Sequence, residues 1–469
     1  MRRTIPLLLL SLFALLVPAA AARANATQFT TLEAPNELLN SGSPDGVLDQ
    51  IESLGADGIR FQLSWRALAP NATARKKPAF NATDPNAYSG WERYDAAVDG
   101  ARARGLKVHI TITGSAPTWA TPGKDPDGLI RPDASEFGKF ATAVGKRYRS
   151  KVALWSIWNE PNLGKYLQPI AREESATVYR NLYMKAYSGL RAARVTAPIL
   201  LGELAPQSNR LKVIGTRAPL TFLRAMLCLD GRYKRVRNCA AVPTQGIAIH
   251  PYSTQPGPFL RPMTDVNNVT IGVLDRLTTA LDKAAAAGAI AKRLPIYVTE
   301  FGVQSFPDPR LGVPLDVQSD YRSISERIAF LNPRVKSFSQ YLLVDDADSE
   351  AGNYGSFQSG LYLYSPRRAK PSLGGFRLPL VVVPGKSATR ATLWGLVRPA
   401  TSSGNVTLQY SDNGRSWKTL GSQRFASNGY YTRTVSTTAK RRWRVVWDAP
   451  DGTTYTGPAT RAWTKPWVG

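Results

Sequence analysis

Two glutamates, Glu160 and Glu300, each close an apolar run that reads as a β-strand. The first run is VALWSIWNEPN at 152–162 and the second is PIYVTEFG at 295–302. A pair of carboxyl groups is the usual equipment for cleaving a glycosidic bond. One protonates the leaving oxygen, and the other attacks or stabilises the oxocarbenium-like carbon. A single glutamate after a strand reads equally well as a salt bridge or a helix cap. Two of them at C-terminal strand ends, each with a polar or aromatic neighbour, point to that acid–base chemistry.

The residues around each glutamate sharpen this reading. Trp158-Asn159-Glu160-Pro161-Asn162 resembles the acid/base signature of the clan A glycoside hydrolases, the superfamily that includes families 5 and 39. Thr299-Glu300-Phe301-Gly302 resembles the nucleophile signature of the same clan, and the likeness runs over roughly residues 28 to 380. It implies a (β/α)8 barrel with Glu160 as acid/base after strand four and Glu300 as nucleophile after strand seven. It also implies retention of configuration at the sugar. By the same resemblance Asn159 bonds the sugar 2-hydroxyl, and Arg60, in GIRFQLSW, stands near the nucleophile. Tyr252, in IAIHPYS, takes the place of a strand-six tyrosine. Many members of the clan carry a tryptophan at the end of strand eight. This chain has Gln340-Tyr341-Leu342-Leu343-Val344-Asp345-Asp346 there, which leaves the sugar identity open.

Other residues enter on their own chemistry. His250 precedes Tyr252 by two residues and shares its strand face. It is a candidate for sugar contact or for a structural hydrogen bond. His109, inside strand three, reads as structural. Trp65 and Trp119 follow strands two and three and are candidates for subsite walls, because sugar rings stack on aromatic faces; core packing is the other reading. Glu203, Asp345 and Asp346 end strands five and eight and are further candidates for substrate binding.

Positioning these groups requires an alternation of strands and helices, which argues for α/β architecture with parallel strands. Strands are expected near 28–33, 58–65, 106–114, 152–159, 199–204, 246–252, 296–299 and 335–344. Helices are expected at 45–54, 94–104, 135–149 (capped by Ser135), 173–194, 220–229, 270–287 and 318–331. Eight strands with intervening helices suit a TIM barrel, whose chemistry sits at the C-terminal strand ends. Residues 27–379 form this barrel domain, with 361–377 as its closing segment. From 380 to 469 the pattern changes to short runs at 391–396, 405–411, 430–435 and 443–447, separated by turn signals. That fits a small all-β sandwich, similar to the fibronectin-like modules of secreted enzymes.

Composition sets the remaining bounds. A chain of 469 residues suits two domains, and 43% hydrophobic with 20% charged residues is globular. Residues 1–26 carry two arginines, a leucine-rich run and small residues, the pattern of a secretory signal peptide. An exported, soluble protein without a stable membrane span is expected. In that setting Cys228 and Cys239 are expected to form a disulfide. Two cysteines and two histidines match no common zinc spacing, so no catalytic metal and no cofactor are expected. The formal charge of +26 favours polyanions. For an exported chain these are anionic cell-wall glycans more than nucleic acid, for which no recognition motif appears. A solvated basic surface is the alternative.

The C-terminal segment holds thirteen Lys or Arg against three Asp, and six of the eleven tryptophans. Those tryptophans read as sandwich core or as a glycan-binding face. The expected function is a secreted retaining glycoside hydrolase acting on an oligo- or polysaccharide. The rival is a non-catalytic carbohydrate-binding or cell-surface protein on the same fold.

Overall fold

The computed structural model describes residues 28–170, 174–208, 215–236, 238–262, 265–347 and 356–463. The expected signal peptide and Trp467 lie outside the described residues. Eight barrel strands follow in chain order: β1 (Thr31–Glu33), β2 (Gly58–Ser64), β3 (Lys107–Thr113), β4 (Leu154–Ile157), β5 (Ile199–Leu204), β6 (Gly246–Ile249), β7 (Ile296–Val298) and β8 (Val335–Phe338). A short β9 (Gln340–Tyr341) continues β8 after Ser339. Each strand pairs in parallel with its sequence neighbour, from β1 to β8. The ring closes where Leu32 and Glu33 of β1 lie opposite Gln340 and Tyr341 of β9, and Phe29 opposite Ser337. The expected (β/α)8 barrel is present.

Apolar strand residues such as Ile59, Ile112, Ile157 and Ile247 are fully buried and pack with the surrounding helices in one core. The helix at Ala134–Tyr148 starts one residue earlier than expected. Its cap is Asp133, whose Oδ1 accepts from the backbone N–H of Ser135 and Glu136, and not Ser135. Strand two ends at Ser64, because the Ser64 hydroxyl accepts from Ala67 N–H and opens a helical turn at Trp65.

The chain then enters a two-sheet antiparallel sandwich. One sheet has the order β10 (Leu380–Pro384), β11 (Arg390–Gly395), β14 (Tyr431–Ser436). The other has the order β13 (Lys418–Phe425), β12 (Gly404–Ser411), β15 (Arg442–Asp448), β16 (Thr454–Thr456). Leu393, Leu408, Trp443, Val445 and Trp447 fill its core. Barrel and sandwich are joined by buried contacts. Arg398 pairs with Glu326 of the helix Leu315–Leu331, and Glu326 also accepts from Arg322 at 2.7 Å. Phe330 of that helix meets Trp394 and Tyr430 at 5.5 and 5.0 Å between ring centroids. Trp463 packs on Tyr321 at 5.2 Å. Four of the C-terminal tryptophans are therefore in cores or at this junction. Trp417 differs: it is half-buried, with the Arg444 guanidinium 4.2 Å from its ring centre.

Cys228 and Cys239 are joined by a disulfide, as expected. Among the described residues no helix is long and apolar enough to cross a membrane.

Candidate active site

Glu160 and Glu300 come from opposite sides of the barrel and meet at the C-terminal end of its strands. With His250 they form a group in which one side-chain N or O atom from each residue lies within 4.8 Å of the others. Glu160 is held by its own strand end. The backbone N–H of Glu160 donates to Glu203 O at 3.0 Å, and that of Asn159 to Thr113 Oγ1 at 3.0 Å. Trp158, Glu160 and Glu203 have φ of 67°, 38° and 57°, a left-handed conformation that side chains normally avoid. Such residues concentrate at functional sites, where the surrounding structure fixes them. The glycine after Glu300-Phe301 has a packing reason. A Cβ on Gly302 would sit 2.3 Å from the carbonyl oxygen of Tyr341.

The two carboxyls have different surroundings. Glu300 Oε1 accepts from Arg60 Nη1 at 2.8 Å, and its Oε2 from the Tyr252 hydroxyl at 3.2 Å. Burial alone would raise its pKa. The charges of His250 and Arg60 and the hydrogen bonds from Arg60 and Tyr252 outweigh that and hold it below the usual range. Among the described residues no arginine bonds Glu160. Burial raises its pKa, and the nearby Glu300 charge adds to that against the opposing pull of His250. His250 Nδ1 is 3.0 Å from Glu160 Oε1 and 3.4 Å from Glu300 Oε2. Burial works against charge on this imidazole, but the surrounding glutamates raise its pKa all the same. One carboxyl is thus set to hold a proton and the other to lose it. That is the division of labour that glycosidic cleavage needs.

Arg60 is fully buried, and three carboxylates share it. Its Nε and Nη2 reach Glu203 at 3.2 and 2.5 Å, and its Nη1 reaches Glu33 at 2.6 Å as well as Glu300. Thr111 Oγ1 adds a third bond to Glu203 at 3.0 Å. Gln62 Nε2 donates to Asn159 Oδ1 at 3.1 Å, which fixes the amide so that its nitrogen is left for other partners. Tyr341 stands edge-on to Tyr252 at 6.4 Å and to Phe357 at 5.3 Å. It is an aromatic at the strand-eight position, smaller than the tryptophan of many clan members.

Arg60, Asn159, Glu160, His250, Tyr252 and Glu300 are therefore brought together. His250 is a partner of both glutamates. His109 stays in the layer beneath, where it bonds Ser156 at 2.7 Å, and burial with Arg60 nearby keeps its pKa well below the ordinary value. Other candidates need correction. Trp65 is fully enclosed by Trp119, Phe137 and Phe140, so it belongs to the core. Trp119 is 5% exposed, its N–H bonds Pro70 O, and its ring lies among Trp65, Phe80 and Lys77. Neither offers a face to a sugar. Glu203 is completely buried and engaged by Arg60 and Thr111, and Asp345 is locked to the buried Lys370 at 2.9 Å. Asp346 accepts from Phe357 N–H. Sequence reasoning missed Glu33 and Gln62. Gln62 carried a usable signal, since it follows Arg60 by two residues on β2.

Glu160, His250 and Glu300 are also close enough to share a cation. Each carboxyl already has a basic group of the protein against it, Arg60 Nη1 at 2.8 Å from Glu300 and His250 Nδ1 at 3.0 Å from Glu160.

Comparison with known proteins agrees with this geometry. The profile for Cellulase (glycosyl hydrolase family 5) matches residues 21–321. The chain is 25% identical over 142 residues to putative beta-glucosidase 41 of Arabidopsis thaliana, covering 28% of this chain and 25% of that protein. It is 28% identical over 117 residues to a beta-glucosidase of an Agrobacterium species, covering 24% and 22%. The chain spans about a quarter of the length of the curated relatives it matches. In fold it resembles a family 39 glycoside hydrolase from the gut symbiont Bacteroides cellulosilyticus, with TM-score 0.54, 15% identity, and 90% and 80% of the two chains covered. A glucosidase from Croceicoccus marinus superposes with TM-score 0.53 at 10% identity, covering 90% and 95%.

Proposed function

Because the chain belongs to the cellulase family, glycosyl hydrolase family 5, we propose that it is a retaining glycoside hydrolase with Glu160 as acid/base and Glu300 as nucleophile. The observation that carries this is the pair of carboxyls, with an oxygen of each within 4.8 Å of the other, displaced in opposite directions in their pKa. Carboxyl groups about 5–5.5 Å apart are the retaining arrangement, and about 6.5–9.5 Å the inverting one, which must leave room for a water.

In the first step the Glu160 proton passes to the glycosidic oxygen while Glu300 attacks the anomeric carbon. The aglycone leaves, and a glycosyl ester on Glu300 forms. Glu160, now a carboxylate, takes a proton from water. That water attacks the anomeric carbon and releases Glu300. Asn159, oriented by Gln62, donates to the sugar 2-hydroxyl. Tyr252 and Arg60 hold Glu300 ionised before attack. His250, against both glutamates, sets their relative orientation.

The curated relatives are β-glucosidases by name, so aryl β-glucosides are the first substrates to try, followed by oligo- and polysaccharides. Export by the N-terminal 1–26 segment and attachment of the basic sandwich to anionic wall glycans belong to the same proposal. The test is kinetic. Turnover of an aryl glycoside panel should be abolished by Glu300→Ala, and activity that survives this substitution intact refutes the assignment.

A further inference from the structure

Arg60 offers one positive charge to three carboxyl groups. Glu203 takes the Nε–Nη2 edge of the guanidinium and a hydroxyl from Thr111. Glu33, at the end of β1, and Glu300 share the remaining Nη1 at 2.6 and 2.8 Å. The two sharers differ in their other partners. Glu300 has Tyr252 and His250 as well. Glu33 is 2% exposed, and its second oxygen, Oε1, is buried without a hydrogen-bond partner among the described residues. The ionisable groups around it are Arg60 on β2, Glu203 on β5, Tyr252 after β6, Glu300 after β7 and Tyr341 on β9. Arg60 is the one cation in that set.

We propose that Glu33 works as a neutral carboxylic acid, a positioning residue that anchors Arg60 through its carbonyl oxygen while leaving the guanidinium charge to Glu300. A buried carboxylate with one oxygen bonded to nothing is costly, whereas a neutral acid is much less so. Burial, opposed by Arg60 and reinforced by Glu300 and Glu203, raises the Glu33 pKa well above the carboxylate range. The charge balance agrees. With Glu33 neutral, the Arg60 charge is left to Glu203 and Glu300. Attack removes the Glu300 charge as the ester forms, and proton donation creates one on Glu160, so the balance is kept through the first step. An ionised Glu33 would add a second negative charge at Nη1, the same guanidinium nitrogen that serves the nucleophile.

The kinetic consequence rests on the two-glutamate reading, but the proton on Glu33 does not, and the test separates them. Glu33→Gln keeps a carbonyl for Arg60 and a donor in place of the O–H. In an infrared difference spectrum at neutral pH, the band lost from wild type should be the carbonyl stretch of a protonated carboxyl. Loss of carboxylate bands instead overturns the proposal, whatever the enzyme's activity. If the protein is the proposed hydrolase, Glu33→Gln should retain kcat/KM and an unmoved acid limb, while Glu33→Ala, which strips Arg60 of an acceptor, loses about tenfold. An acid limb displaced downward in Glu33→Gln would mean that an anion had been removed, and would also overturn it. Should Glu33→Gln not fold, Glu33→Asp gives the same spectroscopic decision: either the protonated-carboxyl band moves or the carboxylate bands do.

Discussion

Tyr252→Phe deletes one hydroxyl and little else. That hydroxyl donates to Glu300 Oε2 at 3.2 Å, while the ring stays stacked 6.2 Å from Phe301. A hydrogen bond to a charged acceptor contributes roughly 1.5–3 kcal/mol, and 3.2 Å is long for an O–H donor, so about 1.5 kcal/mol is the fair value here. One pKa unit corresponds to about 1.4 kcal/mol, so the substitution should raise the Glu300 pKa by about one unit. In the proposed role Glu300 attacks only when ionised, and its pKa is depressed in the wild type. Losing a donor therefore moves the acid limb of kcat/KM toward neutral pH. The loss should be about tenfold below the limb and small near neutrality, where Glu300 stays ionised. Glu160 and Glu300 titrate as a pair, so the limb belongs to both. The assay is kcat/KM against pH on one aryl glycoside, which reports the free enzyme. An acid limb that stays where it was, with activity lost equally at every pH, would refute the role given to Tyr252.

Glu300→Ala should regain part of its turnover with azide and yield a glycosyl azide of inverted configuration; no rescue on any active substrate counts against Glu300 as nucleophile. Glu160→Ala should damage substrates with poor leaving groups far more than activated aryl glycosides, because only the former need protonation; equal losses point to another acid. Arg398→Ala leaves Glu326 with Arg322 as its remaining side-chain partner and should destabilise the protein by roughly 3 kcal/mol in a denaturant melt; an unchanged midpoint would mean that the junction does not depend on this pair. Burial raises the pKa of half-buried Asp320, which accepts from Trp463 Nε1, to about 7. The folded state then binds this proton more tightly than the unfolded chain, so stability falls as pH rises from about 4 to 7. Asp320→Asn should raise the melting temperature at pH 8 relative to wild type, with little difference at pH 4; the reverse order would contradict the burial argument.

Much of this architecture is legible because barrel strands are buried on both faces and read as apolar runs. The glutamates stand out because they interrupt such runs at the ends. Three strands of the sandwich are harder to see. β13 is mostly solvent-exposed and polar, β10 closes on Pro384, and β16 (Thr454–Thr456) has three residues. Trp65 and Trp119 show why a strand-end aromatic is ambiguous. The sequence places them next to the site, but packing against the helix that carries Phe137 and Phe140 turns Trp65 inward, and Trp119 follows it. Glu33 and Glu203 lie 27 and 143 residues from Arg60, so their sharing of one guanidinium exists only in the closed barrel. Tight docking also changes how the sandwich is understood. Cutting the chain near residue 380 would uncover Phe330 and Phe376 and break the Arg398–Glu326 pair. Substituting surface arginines in the full chain is thus the cleaner way to probe glycan attachment.

The central claim is that two neighbouring glutamates cleave the glycosidic bond in two displacements. The most direct measurement is the anomeric configuration of the first-formed sugar, followed by proton NMR before mutarotation. Retention of the substrate's configuration is the predicted result. Inversion would require room for a water between the two carboxyls, and so would contradict the placement of a Glu160 oxygen and a Glu300 oxygen within 4.8 Å of each other.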